Sequence, residues 1–119
     1  MKDEATRLTY AIEFVSDMAE AVAFYRDVLG LPLKFQSPYW SEFATGATNL
    51  ALHPASAANP AGTVQIGLGV PDLEAFYARL SAAGVTFTQR PTLEAGRLLA
   101  RFLDPQGKEI SVSQLLGAP

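Results

Sequence analysis

No cysteine occurs in this chain of 119 residues, and there is one histidine and one tryptophan. The absence of cysteine excludes disulfide bonds, thiolate metal ligands and a cysteine nucleophile, and it is typical of a cytoplasmic protein. Because His53 is the single histidine, a metal site with several imidazole ligands is also excluded. Any metal or catalytic site would therefore have to rely on other side chains.

Long apolar runs and an excess of basic residues are missing as well. No apolar stretch approaches the roughly 18 residues that a transmembrane helix needs, and the acidic start Met1-Lys2-Asp3-Glu4 is not followed by the apolar core of a secretory signal. The net charge of −3 argues against a nucleic-acid partner, because phosphate binding requires a basic face. We therefore expect a cytoplasmic globular protein that contacts neither nucleic acid nor membrane.

What the sequence does contain is a helix with its own start and stop signals. Asp17 is a good N-cap, and Glu20 follows three residues later, as in a capping box. Gly30 and Pro32 then end the helix. Between these signals, apolar residues recur with the spacing of one helix face: Met18, Ala21, Val22, Tyr25, Val28 and Leu29.

The same pattern occurs a second time, 55 positions later. Val70-Pro71-Asp72 repeats Val15-Ser16-Asp17, and Gly84 corresponds to Gly30 with a shift of one residue. The apolar face is reproduced by Leu73, Phe76, Tyr77, Leu80 and Ala83. Repetition at such a period indicates a duplicated supersecondary unit.

Strand-like runs accompany both helices. Pro91 predicts the end of a strand, and residues 92–96 are predicted to form a loop. Around the first helix we predict strands over 8–15, 33–35, 39–44 and 49–53. Around the second helix, residues 72–83, we predict strands over 63–70, 85–89, 98–103 and 110–115. The expected fold is thus α+β, a single domain over 1–119 made of two tandem β-α-β-β-β modules. The modules cover about 8–53 and 63–115, and the linker 54–62 joins them.

Two stretches, F-Y-R-D-V-L-G-L at 24–31 and F-L-D-P-Q-G at 102–107, resemble hallmarks of the glyoxalase/bleomycin-resistance/extradiol-dioxygenase superfamily, also called vicinal oxygen chelate. The resemblance covers nearly the whole chain. It implies that each module curls into a half-barrel, that paired modules enclose a cavity, and that two chains form a homodimer. Enzymes of the superfamily hold a divalent metal with one ligand from each of four strands, commonly His, Glu or Gln.

Carried over to this chain, the four ligand positions are Tyr10, Ala51, Gln65 and Ser111. Only Gln65 is an acceptable ligand of the family. Alanine has no donor atom, and neutral serine and tyrosine oxygens are poor substitutes for carboxylate and imidazole. We therefore expect no metal cofactor. A relocated site using His53, Glu109 and Gln65 is the alternative, with Glu42 as a further carboxylate that could reach the cavity. Otherwise His53 lines the cavity or its rim, and Glu109 is solvated.

Glu13 interrupts the otherwise apolar first strand. Its counterpart in the second module is Leu68, so the repeat predicts that Glu13 faces the first helix. A buried carboxylate without a partner would become protonated or require a cation. Two interpretations remain: a partner near the sheet edge, or a bulge that turns Glu13 into the cavity. In the cavity it could bind a cationic group or act as a catalytic base.

Aromatic residues are concentrated in the first module, where they could line the wall of a binding site for a flat organic ligand. The expected ligand-binding residues are Tyr10, Trp40, His53, Gln65 and Ser111. The hypothesis is a metal-independent small-molecule-binding protein that resembles the bleomycin-resistance branch. The alternatives are a metal-dependent lyase, isomerase or dioxygenase with an altered metal site, and a subunit or regulator that acts through its surface.

Overall fold

The computed structural model of the protein describes residues 5–116. Its helices and strands follow the order β-α-β-β-β twice. The first set is β1 (Arg7–Val15), α1 (Met18–Ala23) with a π-helical segment (Phe24–Val28), β2 (Leu33–Phe35), β3 (Ser41–Phe43) and β4 (Asn49–Pro54). The second set is β5 (Val64–Val70), α2 (Leu73–Ala82), β6 (Phe87–Glu94), β7 (Arg97–Leu103) and β8 (Glu109–Gln114). The predicted α+β class is confirmed, whereas dimerisation stays a prediction.

The described residues fall into two compact units with the same topology. Residues 9–65 form the N-terminal unit, and residues 66–116 with 5–8 form the C-terminal unit. The strands lie in the order β2-β3-β4-β1 in the first and β6-β7-β8-β5 in the second. In each unit the first and last strands are parallel and the other neighbours antiparallel. None of the helices within 5–116 is both long and apolar enough to cross a bilayer.

Both helices begin and end as their sequence signals predict. The Asp17 carboxylate accepts a hydrogen bond from the Glu20 amide at 2.9 Å, and Asp72 accepts one from the Ala75 amide at 3.1 Å. Gly30 and Gly84 have positive φ angles of 74° and 91°. This left-handed conformation, which favours glycine, reverses the chain at the end of each helix.

The π-helical segment changes which residues of the first helix are buried. The Leu29 amide donates to the Phe24 carbonyl, five residues back, at 3.1 Å. Met18, Ala21, Val22 and Tyr25 pack inward as predicted. Val28 and Leu29 are exposed, so their assignment to the apolar face is wrong. A π-helical turn contains more residues than an α-helical turn. The side chains that follow it therefore point in directions that the α-helical period does not predict.

Two further predictions of strand limits are wrong. Strand β6 continues past Pro91 to Glu94, and a two-residue turn at Ala95 and Gly96 joins it to β7. A proline is tolerated there because β6 is an edge strand and its register shifts between Gln89 and Thr92. The predicted strand 39–44 is reduced to Ser41–Phe43.

Each unit is stabilised by an apolar cluster between its helix and its strands. In the N-terminal unit Val22, Phe43 and Leu52 are fully buried at this interface. In the C-terminal unit Leu73 and Phe76 of α2 pack against Ala100 and Val112. The opposite face of the N-terminal strands carries a second, smaller cluster of Ile12, Phe14 and Ala51, with Tyr10, Trp40 and Ala55 packed against it. Because side chains alternate along a strand, these two clusters lie on opposite faces.

We expect Leu52→Ala to lower the free energy of unfolding by about 2–5 kcal/mol, because it removes a fully buried side chain and leaves a cavity. Leu93→Ala is the matched control: Leu93 is 70% exposed, and its replacement should change stability by less than about 0.5 kcal/mol. Urea denaturation of the two variants measures the difference. Similar losses for both would contradict the described core.

Candidate ligand-binding site

Trp40 is held in place by a turn that precedes β3. The Ser37 hydroxyl accepts hydrogen bonds from the Tyr39 and Trp40 amides at 3.2 and 3.0 Å. The Ser37 amide in turn donates to the Trp40 carbonyl at 3.0 Å. Serine is favoured in such turns because its hydroxyl satisfies backbone groups two or three residues away. Trp40 therefore lies in a turn rather than in the predicted strand, and its ring is directed over the neighbouring strands.

Trp40 belongs to an aromatic face on the side of the N-terminal strands opposite α1. We define the aromatic face as Tyr10, Phe14, Trp40 and His53. The centroid of the Trp40 ring lies 5.3 Å from that of Tyr10 and 6.5 Å from that of His53, and Phe14 lies 5.4 Å from His53. All three pairs are edge-to-face, the favourable arrangement for aromatic rings. Three predicted ligand-binding residues, Tyr10, Trp40 and His53, are thus brought together.

A buried carboxylate lies beside these rings. Glu42 on β3 is only 6% exposed. Its Oε1 accepts a hydrogen bond from the Trp40 indole N–H at 3.1 Å, and its Oε2 accepts one from the Asn49 side-chain amide at 2.6 Å. The Lys34 ammonium lies 3.4 Å from the same Oε2. The sequence suggested Glu42 only as an additional carboxylate, and its partners Lys34 and Asn49 were missed.

Strand register explains why Glu42 reaches the aromatic face. Glu42 pairs with Ala51 on β4, and Ala51 pairs with Ile12 on β1, so these three side chains form one row across the sheet. Asn49 pairs with Tyr10 in the next row. Pairing partners project to the same side of a sheet. Three strands therefore direct a carboxylate, an amide and aromatic rings towards one surface.

Glu42 is ionised in this environment. Burial acts to raise the pKa of the Glu42 carboxyl, but hydrogen bonds from Asn49 and Trp40 and the Lys34 charge act in the opposite direction and prevail. The pKa therefore lies below its ordinary value. The site presents a fixed negative charge at neutral pH.

Glu13 lies on the other face, as the repeat predicts. The Tyr25 hydroxyl donates to Glu13 Oε1 at 2.5 Å, which supplies the partner that a half-buried carboxylate requires. This bond, with burial and the Glu13 charge, raises the pKa of Tyr25 to about 12. Glu13, Phe24 and Tyr25 line an open cleft of about 460 Å³ beside α1. The interpretation of Glu13 as a catalytic group on the aromatic face is therefore not supported by its position.

The remaining predicted residues, Gln65, Ser111 and Glu109, lie on strands β5 and β8. Gln65 on β5 is buried, and so is Ser111 on β8, which pairs with Gly67 and Arg101 of the neighbouring strands. Glu109 accepts a hydrogen bond from the Thr88 hydroxyl at 2.6 Å, and its Oε1 lies 4.0 Å from Arg101 Nε. Arg101 also donates to the Gln89 side chain. Glu109 is thus part of a polar network of the C-terminal unit.

Sequence comparison identifies the family. The profile of the Glyoxalase/Bleomycin resistance protein/Dioxygenase superfamily matches residues 7–112. The chain belongs to this superfamily. No curated protein sequence matches the chain significantly.

Several solved structures of other proteins share this fold. Methylmalonyl-CoA epimerase of Streptomyces coelicolor, in complex with 2-nitronate-propionyl-CoA, has a TM-score of 0.77 at 17% identity, covering 96% of this chain and 100% of that one. The Mycobacterium tuberculosis epimerase has a TM-score of 0.68 at 21% identity over 90% and 86% of the two chains. A Legionella pneumophila protein named NAD-dependent benzaldehyde dehydrogenase has a TM-score of 0.75 at 17% identity over 89% and 97%. At such identities the likeness establishes the fold, not the activity.

The residues at the superfamily's metal positions do not fit a catalytic divalent ion. Ala51 is fully buried, and its methyl group packs against the cluster of Ile12 and Phe14. Tyr10 and Ser111 offer only neutral oxygens, which bind a divalent ion weakly compared with carboxylate or imidazole. His53 Nδ1 lies 2.9 Å from the Pro54 carbonyl oxygen. Across residues 5–116 no three His, Asp or Glu side chains are grouped so that they could bind a metal ion.

We expect Glu42→Gln to destabilise the protein by about 1–3 kcal/mol at neutral pH, because it removes the charge that Lys34, Trp40 and Asn49 surround. The folded-state pKa of Glu42 is depressed, so its stabilising contribution is present above the unfolded-state pKa and is lost as pH falls through the folded-state pKa. The stability gap between wild type and Glu42→Gln should therefore shrink as pH falls below the ordinary value of 4.5.

Urea denaturation at a series of pH values measures this gap. Glu74→Gln, at an exposed position on α2, is the matched control and should change stability little at any pH. A gap between wild type and Glu42→Gln that stays constant down to acid pH would show that the carboxylate is not stabilised by its partners.

Proposed function

We propose that the protein binds a small organic ligand on the aromatic face of its N-terminal unit, without a metal ion. The observation that supports this most strongly is the contact of Trp40 with Tyr10, His53 and the ionised Glu42. Ring surface beside a few oriented polar groups is the usual composition of small-molecule sites. Gln65 and Ser111 remain proposed ligand-binding residues on the family resemblance alone, and the proposal for the aromatic face does not depend on them.

The low pKa of Glu42 favours binding over proton transfer. A general base works best when its pKa is close to the working pH, and catalytic carboxylates are accordingly raised towards neutrality by burial. Glu42 is buried, but its hydrogen bonds depress its pKa. The carboxylate is therefore a weak proton acceptor and a good fixed charge. This argues against an epimerase-like proton abstraction by Glu42.

Binding of a flat aromatic compound should quench the emission of Trp40, the single tryptophan of the chain. Tyr10→Ala should weaken that binding roughly 3- to 10-fold, because an aromatic contact contributes about 0.5–1.5 kcal/mol beyond its buried area. Fluorescence titration with a panel of soluble aromatic compounds provides the measurement. Tyr39→Ala is the matched control, since Tyr39 is exposed and adjoins the same turn. Absence of quenching by every compound in the panel would refute the proposed function.

Divalent metals should leave both stability and ligand binding unchanged. An ion held at about 100 times its Kd would add about 2.7 kcal/mol to the free energy of unfolding, and this would raise Tm by several degrees. Thermal scans with nickel, zinc, manganese or ferrous ions, and ligand titrations with a chelator, provide the measurement. A metal-dependent rise in Tm together with loss of binding in chelator would support the metal-dependent lyase, isomerase or dioxygenase instead.

A further inference from the structure

Glu42 has one cationic partner among residues 5–116, and that partner is held weakly. Lys34 on β2 places its Nζ 3.4 Å from Glu42 Oε2, and its side chain is 58% exposed. At 3.4 Å this contact is longer than the 2.6 Å bond from Asn49 and the 3.1 Å bond from Trp40, so Lys34 is the least tightly held of the three partners. The Glu42 carboxylate, by contrast, is only 6% exposed and is oriented by Trp40 and Asn49. The anion is thus oriented by two donors, while its counter-ion belongs to a largely exposed side chain.

The carboxylate also has unused capacity to accept hydrogen bonds. An ionised carboxyl group offers about four acceptor positions. The indole of Trp40 takes one on Oε1, and Asn49 and Lys34 use positions on Oε2. Because the Lys34 side chain is largely exposed, its ammonium is the partner that another cation could replace. Asn49 and Trp40 would stay in place during such an exchange.

Aromatic rings lie next to the Glu42 carboxylate. The Trp40 ring that donates to Glu42 also contacts Tyr10 and His53. A cation that pairs with Glu42 would therefore lie beside apolar aromatic surface, on which the ring of a ligand could pack. An anionic ligand would meet the Glu42 charge instead, which disfavours carboxylates and phosphates at this position.

We infer, on the basis of the proposed function, that the ligand is an aromatic or apolar molecule with a positively charged nitrogen, and that its cation displaces Lys34 from Glu42. The ring of the ligand packs on Trp40 and Tyr10, and its charge pairs with the buried carboxylate. Lys34 acts as an internal competitor that neutralises Glu42 when the site is empty.

The test compares two probes of equal shape, the cation 1-naphthylmethylammonium, whose N–H groups can donate to Glu42, and the neutral 1-ethylnaphthalene. The readout is the indole N–H resonance of Trp40 in ¹H–¹⁵N spectra of the full chain. This resonance reports the bond to Glu42 directly, and the single tryptophan gives one signal. Wild type should bind the cation at least about 10-fold more tightly than the neutral probe, as expected for a charge-assisted contact.

Three variants locate the charge recognition. Glu42→Gln should bind both probes with similar affinity. Lys34→Met should bind the cation several-fold more tightly than wild type and the neutral probe equally well. Lys108→Met, an exposed lysine of the C-terminal unit, removes the same overall charge and should change neither affinity.

The outcomes distinguish this inference from the proposed function. Equal binding of the two probes by wild type would overturn the inference and leave the proposed function standing, whereas no binding of either would overturn both. A preference for the cation that survives in Glu42→Gln would place the charge recognition elsewhere. If Glu42→Gln does not fold, the Lys34→Met variant decides the question. Binding of the cation by Lys34→Met that is no tighter than binding by wild type would contradict displacement of Lys34.

Discussion

The burial of the Glu42 carboxylate is the constraint around which the N-terminal unit's candidate site is arranged. An ionised carboxylate cannot be removed from water unless donors replace the lost hydration. Here the indole of Trp40, the amide of Asn49 and the ammonium of Lys34 supply those donors. Each comes from a different segment: the turn before β3, strand β4 and strand β2. The requirement to satisfy one buried charge therefore orients the tryptophan ring as well.

The duplicated scaffold explains how such a site can arise without disturbing the fold. In both units the helix-facing sides of the strands carry an apolar cluster with fully buried side chains such as Leu52 and Val112, although Glu13 interrupts that face in the N-terminal unit. The opposite sides differ: the N-terminal unit has rings and Glu42, and the C-terminal unit has a network of Arg101, Glu109 and Gln89. The two units thus share the helix-facing cluster and differ on the other face. This separation is the physical basis on which one fold carries many functions.

The fold could be predicted from the sequence where a local pattern determines the structure. Asp17 and Asp72 cap their helices, and the D-P-Q-G turn closes as expected, with the Gly107 amide donating to the Asp104 carbonyl at 2.9 Å. The π-helical segment, by contrast, has no distinguishing residues. The predicted loop 92–96 was too long: only Ala95 and Gly96 form the turn, and Ala95, unlike glycine, gives no sign of its positive φ of 51°.

The candidate site was harder to predict because it depends on strand register. Tyr10, Trp40 and His53 were identified from their residue types and their place in the repeat. The importance of Glu42 follows instead from its pairing with Ala51, and the contacts of Lys34 and Asn49 follow from the same alignment of strands. No short-range pattern specifies such pairings, since a shift of one residue would send Glu42 towards α1. Residue type alone could not distinguish a buried, bonded carboxylate from a solvated one.

The pairing of Glu42 with Ala51 also indicates how this chain departs from the metal enzymes of its superfamily. By resemblance, β4 would carry a metal ligand at position 51, but alanine stands there and the carboxylate projects from the adjacent strand. In that position it is bonded to an indole and an amide, which lower its pKa and orient its charge. Alone it is not a metal site: no three His, Asp or Glu side chains are grouped to bind an ion within residues 5–116, and alanine at position 51 supplies no ligand. Such a group is suited to recognising a cation beside an aromatic cluster, and this is the role that we infer for it.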